Sequence, residues 1–456
     1  MLRVKSKRVT SSASSSNLNA HGSSGSLTEE DRSAKVLVLL TGGTMAMKPN
    51  AHGSLEPCAG YLAVQMRLMP ELRERRMPAY EVVEYAPLLD SGDFVPGDWK
   101  RIATDIADAH ERYDGFVVIM GTDTMAYTSS ALSFMLEGLR KPVVLTGSMV
   151  PFAEAYSDAR RNLVMAMIFA ASGGQVPEVC IFFGEKLLRG NRATKVDALS
   201  LGAYGSPNFP PLATVGVALN SRYDLALRRG PGEAATCRAF TDMETKILVF
   251  RMIPGFDDAA LHRCLESREL KAVVLELYGT GTAPARRVGF IAALRVAARN
   301  GVLVVATTQC LRGGVVLSTY EVGRQLEEVG VVAAGDMTTE AVATKLAYLF
   351  GRYGGDADKV RSLVGVSLRG ELSHVDTYLR PFWEKTKLLA KDNSRTVLLA
   401  PPPHARARSD SNAELAVVPK TPPPPPPPPP PSRAADLAAG LGLGLACALV
   451  LARVRA

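Results

Sequence analysis

Thr44 and Thr122 each lie in a short segment able to hand a hydroxyl to a substrate. Leu40-Thr41-Gly42-Gly43-Thr44-Met45 follows the apolar run Val36 to Leu40, and Met120-Gly121-Thr122-Asp123-Thr124-Met125 follows the run Gly115 to Met120. Each reads as a buried strand, a tight glycine turn and the start of a helix. Open α/β sheets place ligands beyond the carboxyl ends of their strands, and glycine lets the backbone turn sharply and approach a ligand closely. Two such loops on neighbouring strands bring together two hydroxyls, the Asp123 carboxylate and several free amides, the equipment for acyl transfer by an activated hydroxyl. Taken singly, the same residues have plainer readings: a threonine or Asp123 as a helix N-cap, Ser91 as a turn residue, and Lys195 as a surface lysine.

The elements that must position these loops can be read from periodicity. Apolar strand candidates lie at 35–40, 82–84, 115–120, 142–146 and 178–183, with helical stretches at 96–110, 124–139 and 158–171. Strands alternating with helices specify a mostly parallel sheet covered on both faces. The glycine- and proline-containing segment 221–245 reads as a linker. A second, smaller α/β unit follows, with strands at 246–250, 272–277, 303–307 and 330–334 and helices at 257–265, 286–299 and 338–352. The expected organisation is an extension over 1–33, a larger catalytic domain over 34–220, a linker over 221–245 and a smaller domain over 246–377. Residues 378–421 carry no firm periodicity.

Composition excludes several classes. No phosphate-cradling G-x-G-x-x-G or G-x-x-x-x-G-K-[ST] motif opens a helix. The six cysteines and six histidines are dispersed without metal-ligand spacing or a disulfide framework, so no metal and no cofactor is expected, and the cysteine usage fits a reducing, cytoplasmic setting. Net charge is +8. Much of the excess sits near the ends, at Arg3, Lys5, Lys7 and Arg8 and at Arg406, Arg408, Arg433, Arg453 and Arg455, so no nucleic-acid partner is expected. The run Pro422 to Pro431 specifies a stiff polyproline spacer. Beyond it, within 432–456, the apolar stretch Leu437 to Leu451 is flanked by arginines. It reads as a short candidate membrane anchor or as a loose tail, a full span needing about 20 apolar residues.

A larger set of segments then falls into order: Thr41-Gly42-Gly43-Thr44, Asp90-Ser91-Gly92-Asp93, Gly121 to Tyr127, Leu145-Thr146-Gly147-Ser148 and Arg189 to Lys195. Ser206-Pro207-Asn208, Gly335-Asp336-Met337-Thr338 and Leu368-Arg369-Gly370-Glu371-Leu372 continue it. In order and spacing these resemble the type I, cytosolic-type L-asparaginases over about residues 34–373. The resemblance implies a two-domain fold, a homodimer or homotetramer, and hydrolysis of L-asparagine to L-aspartate and ammonia without a cofactor. It implies that Thr44 is the nucleophile, that Thr122, Asp123 and Lys195 form a triad, and that Asp90, Ser91 and Gly92, with Thr122 and Asp123, hold the substrate. Asp336 is read as a helix cap.

Four departures from the family pattern stand out. Ser54 replaces a tyrosine that in bacterial members bonds the nucleophile, and Met120 replaces a histidine. At the family's effector pocket, marked here by Glu276, Tyr278 and Cys310, Glu276 replaces an arginine, which disfavours a carboxylate-bearing effector. Thr282 also replaces an asparagine that in relatives reaches a neighbouring subunit. The rival readings are a related amide hydrolase or amidotransferase subunit, and a catalytically weak amino-acid-binding or scaffold protein.

Overall fold

A computed structural model of the chain describes residues 8–9, 34–228 and 236–373. The candidate spacer and anchor lie outside the described residues, as does 378–421. Among the described residues no helix is long and apolar enough to cross a membrane.

The larger sheet is built on strands that are apolar at nearly every position, because both of its faces are covered. The side-chain period of two sends alternate residues to opposite layers. Along β1 (Lys35–Gly42), Val36, Val38 and Leu40 enter one core cluster, while Leu37 and Leu39 enter the other. Next come α1 (Tyr61–Leu68), β2 (Ala79–Leu89), α2 (Pro96–Ala109), β3 (Gly115–Ile119), α3 (Met125–Met135), β4 (Val143–Thr146), α4 (Ala159–Ala170) and β5 (Val179–Phe183). The five strands β2-β1-β3-β4-β5 pair in parallel. Helices α1 and α4 cover the first cluster, and α2 and α3 the second.

Beyond β5 the sheet turns antiparallel through β6 (Lys186–Arg189). Two short strands, β7 (Thr194–Lys195) and β8 (Tyr204–Gly205), then form a separate antiparallel ladder. The sheet ends on β9 (Ala213–Val215) and β10 (Leu219–Ser221), while Arg8–Val9 pairs against β2 at the opposite edge, giving nine strands. The region read as a linker carries the short strand Arg238–Ala239, paired with Leu136–Glu137.

The smaller unit has a four-stranded parallel sheet of β11 (Ile247–Arg251), β12 (Ala272–Leu277), β13 (Leu303–Thr308) and β14 (Val332–Ala333). On one face lie α5 (Asp258–Leu265) and α6 (Val288–Arg299). On the other lie α7 (Thr339–Arg352) and α8 (Ala357–Val364). The fold is therefore the expected two-sheet α/β arrangement, mostly parallel in the larger part. The sequence reading left out strands β6 to β10, helices α1 and α8 and the helix Glu321–Glu328.

The two parts are joined through a dry core and a buried charge network. Phe134 of α3 inserts among Ala341, Leu346 and Leu349 of α7 and stacks on Tyr348 at 5.9 Å. Arg192 donates to both Asp336 carboxylate oxygens, at 3.1 and 2.7 Å, and to the Glu371 and Asn208 carbonyls. Asn191 donates to the Arg369 carbonyl and Arg189 to that of Gly370. Lys345 and Glu371 pair at 2.7 Å, both fully enclosed. The Arg189 and Leu368 motifs thus bind the two parts together. This corrects the capping role read for Asp336: the Thr338 hydroxyl caps α7 by accepting from Ala341 N–H, while Asp336 is consumed by Arg192 and Ser373.

Candidate active site

Four strand-end loops meet because glycine lets them touch. Gly42 and Gly43 have φ of 140° and 85°, a region other residues rarely adopt. A Cβ on Gly43 would lie 2.2 Å from Gly121 N, and one on Gly121 would lie 2.5 Å from Ser91 Oγ. A Cβ on Gly147 would lie 2.5 Å from the Met120 carbonyl. The β1, β2, β3 and β4 loops are therefore in backbone contact, and no side chain could be inserted between them.

Hydrogen bonds fix their relative heights. Gly43 N–H donates to the Leu89 carbonyl at 3.2 Å. Asp123 N–H donates to Ser91 Oγ at 3.2 Å, and Thr124 Oγ1 donates to the Ser91 carbonyl at 2.7 Å. Ser91 is thus fully buried and braces the β3 loop, while its hydroxyl proton stays available to one further acceptor. Asp90 and Gly92 remain exposed on either side, with Gly92 N–H held by the Asp90 carboxylate at 3.2 Å.

Thr44 begins a single 3₁₀ turn, Thr44–Ala46, at the end of β1 and is half-buried. Its turn is anchored by Met45 and Ala46, both buried in the core below. Thr122 is buried in the loop that follows β3. Lys195 reaches it from β7, with Nζ 2.9 Å from Thr122 Oγ1 and 2.6 Å from Asp123 Oδ1. The lysine side chain is 18% exposed and that of Asp123 70%. The carboxylate therefore holds the ammonium from the solvent side and keeps a face open to a ligand. A desolvated ammonium at hydrogen-bond distance from a hydroxyl stabilises its alkoxide-like state.

Tyr204, which sequence reasoning missed, ties this group together. It faces Lys195 across the β7–β8 ladder and donates its hydroxyl to the Thr122 carbonyl. Burial, with the nearby Asp123 and Glu340 carboxylates, pushes its phenol far above the ordinary tyrosine range, so it remains a donor at any physiological pH. Its signal in the sequence was only proximity to Ser206-Pro207-Asn208. Ser54 sits exposed in the hairpin turn between the short paired strands Met47–Pro49 and Leu55–Pro57 and donates its N–H to Asn50 Oδ1. Among the described residues no group of three or more His, Cys, Asp or Glu side chains is arranged to hold a metal ion.

The candidate effector residues are only partly brought together. Glu276 and Cys310 line a cavity of about 290 Å³ with Thr194, Arg251, Thr339 and Glu340. Tyr278 does not line it. It lies past the end of β12, bridges to Thr282 and packs on the smaller unit's core. The arginine missing from position 276 is matched by Arg251 on the adjacent strand, paired with Glu276 in register and by a 3.2 Å hydrogen bond.

A two-domain α/β chain with a threonine–aspartate–lysine cluster at the strand ends of its larger sheet defines a narrow structural class. Residues 35–226 match the family model "Asparaginase, N-terminal", and 246–364 match "Glutaminase/Asparaginase C-terminal domain". The chain is 41% identical to L-asparaginase 1 of Escherichia coli K12 over 75% of its own length and 98% of that protein. It is 40% identical to the 60 kDa lysophospholipase of Mus musculus over 74% of its length and 62% of that protein. The crystal structure of L-asparaginase I from Vibrio cholerae superposes with a TM-score of 0.68 at 37% identity, covering 75% of this chain and 99% of that one. The chain belongs to the asparaginase family.

Proposed function

We propose that the protein hydrolyses L-asparagine to L-aspartate and ammonia through a threonine acyl-enzyme. The observation that carries this reading is Lys195 Nζ lying between Thr122 Oγ1 and Asp123 Oδ1, on loops in backbone contact with the loop that bears Thr44. In this reading Thr44 Oγ attacks the side-chain amide carbon. The C–N bond then breaks, the leaving nitrogen takes the proton that the Thr44 hydroxyl gives up, ammonia departs, and an ester to Thr44 remains. Water, activated at Thr122 by the lysine, attacks the ester carbon, releases aspartate and restores the threonine hydroxyl. Backbone amides of the glycine loops offer donors to the developing oxyanion.

Substrate binding follows from what is exposed. The open face of Asp123 suits the α-ammonium group. Asp90, Ser91 and Gly92 form the rim proposed to receive the α-carboxylate, with Ser91 contributing from below. A homodimer or homotetramer, which the sequence resemblance implies, is part of this proposal. The protein is proposed to work in the cytoplasm without a cofactor.

The test is ammonia release from the purified protein with L-asparagine, alongside L-glutamine and a lysophospholipid as alternative substrates. Release from asparagine that vanishes in Thr44→Ala supports the reading. Turnover of only another substrate, or asparagine binding without hydrolysis, overturns it.

A further inference from the structure

Lys195 stands on a strand of only two residues, too short to hold a side chain in register by itself. Its ladder partner is equally short, Tyr204–Gly205. The neighbouring Thr194 makes the decisive outside contact. Its Oγ1 donates to Glu340 Oε1 at 2.6 Å, across 146 positions of sequence and between the two units of the fold. Glu340 is the second residue of α7, and that helix is well fixed. The Thr338 hydroxyl caps it, and Ala341, Val342, Leu346 and Leu349 are buried in the core beneath. The preceding Thr339 is tied as well, its Oγ1 donating to Glu276 Oε1 at 2.7 Å while Arg251 holds Glu276 Oε2.

Helix α7 also packs on α3, whose first residue lies three positions after Thr122. The same helix thus braces both halves of the Thr122–Lys195 contact. It packs on α3, the helix that follows Thr122, through Phe134, and it supports Lys195 through Thr194.

We propose that Thr194 and Glu340 act as a positioning pair, a hydrogen bond from the smaller unit that sets the Lys195 ammonium against Thr122. Neither residue touches the reacting atoms. Their effect is to fix the residue next to Lys195, on a strand otherwise anchored by Arg192 behind it and by Val196 N–H donating to the Ala203 carbonyl ahead, and misplacement of a catalytic group by about 1 Å can cost a hundredfold in rate. This inference rests on the asparaginase reading for its kinetic arm only.

Four proteins are compared with wild type: Thr194→Val, Glu340→Ala, the double variant and Thr194→Ser. Each single variant is expected to lower kcat about 10- to 100-fold with KM changed by less than about threefold, since positioning acts on the transition state rather than on ground-state binding. Thr194→Ser keeps the donor and should recover kcat to within about threefold of wild type. The double variant should lose no more than the worse single variant, because both remove one contact. Hydrogen exchange of the β7 amides, compared with those of β3, gives a readout that needs no activity; it should speed up in the valine and alanine variants and return in the serine variant.

Unchanged kcat in Thr194→Val, or losses that multiply in the double variant, would overturn the pair. A loss accompanied by equally faster exchange in β3 would also overturn it, because that marks general unfolding. If wild type releases no ammonia from asparagine, the asparaginase reading fails by itself, and the exchange comparison still decides whether Thr194 and Glu340 hold the strand.

Discussion

Replacing Lys195 with methionine removes the ammonium while keeping most of the stem. The cost can be worked from the geometry. Nζ lies 2.9 Å from Thr122 Oγ1; at that range, with an effective dielectric of ~20, a full negative charge on the oxygen is stabilised by roughly 6 kcal/mol. That corresponds to about four powers of ten in rate. Charge develops only partly in the transition state, so the expected fall in kcat is about a thousandfold to ten-thousandfold. Stability should respond differently. Asp123 is 70% exposed, so water replaces the lost cation, and the change should stay within about 1 kcal/mol, as for other exposed ion pairs. The assay is steady-state ammonia release alongside a thermal melt. A variant that keeps more than a tenth of wild-type kcat would refute the reasoning. So would a collapse of the melting temperature, which would place Lys195 in the structural network instead. Lys195→Arg should not restore the rate, because a planar guanidinium cannot take the place of a compact ammonium between two oxygens.

Thr44→Ala and Thr122→Val should each lower kcat by at least about a thousandfold with an unchanged circular dichroism spectrum; near-native turnover in either marks that threonine as a turn residue. Saturation with asparagine should be hyperbolic, because Glu276 is already engaged by Arg251 and Thr339; a sigmoidal curve abolished by Cys310→Ser would show a working effector site. Asp336→Asn should destabilise the fold by about 3–5 kcal/mol near neutral pH, since it leaves the enclosed Arg192 charge uncompensated. Burial raises the Asp336 carboxyl, but the Arg192 hydrogen bonds and charge and the Ser373 contacts outweigh it and hold the group below the ordinary range. Its stabilisation is therefore complete above the unfolded-state value and lost as pH falls through the depressed one. Urea midpoints measured across that acid interval should fall with decreasing pH in wild type and be flatter in Asp336→Asn.

The sequence by itself determined the buried parallel strands and the glycine loops at their ends. Val36 to Leu40, Gly115 to Met120 and Ala272 to Leu277 are apolar at nearly every position because both faces of their sheets are covered, and that burial is written locally. Glycines 42, 43 and 121 marked where the chain must turn and touch, for the same reason. The motifs, taken in order, nominated Thr44, Thr122, Asp123 and Lys195, and the structure brings the last three into hydrogen-bond contact. What only the tertiary structure decided is which of these segments meet, and through whom. Nothing near position 195 states that its ammonium lands beside a hydroxyl 73 positions away. That contact depends on a short ladder, on Tyr204 and on a helix from the other unit. Asp336 looked like a cap because it precedes a helix, yet a buried guanidinium from the larger unit claims it. Tyr278 was read as a pocket residue from the family resemblance, yet the strand ends before it and it does not line the cavity. In each case the local pattern fixes backbone conformation, which depends on a residue and its near neighbours. The partner is chosen by long-range packing, where burial and charge compensation outweigh local preference.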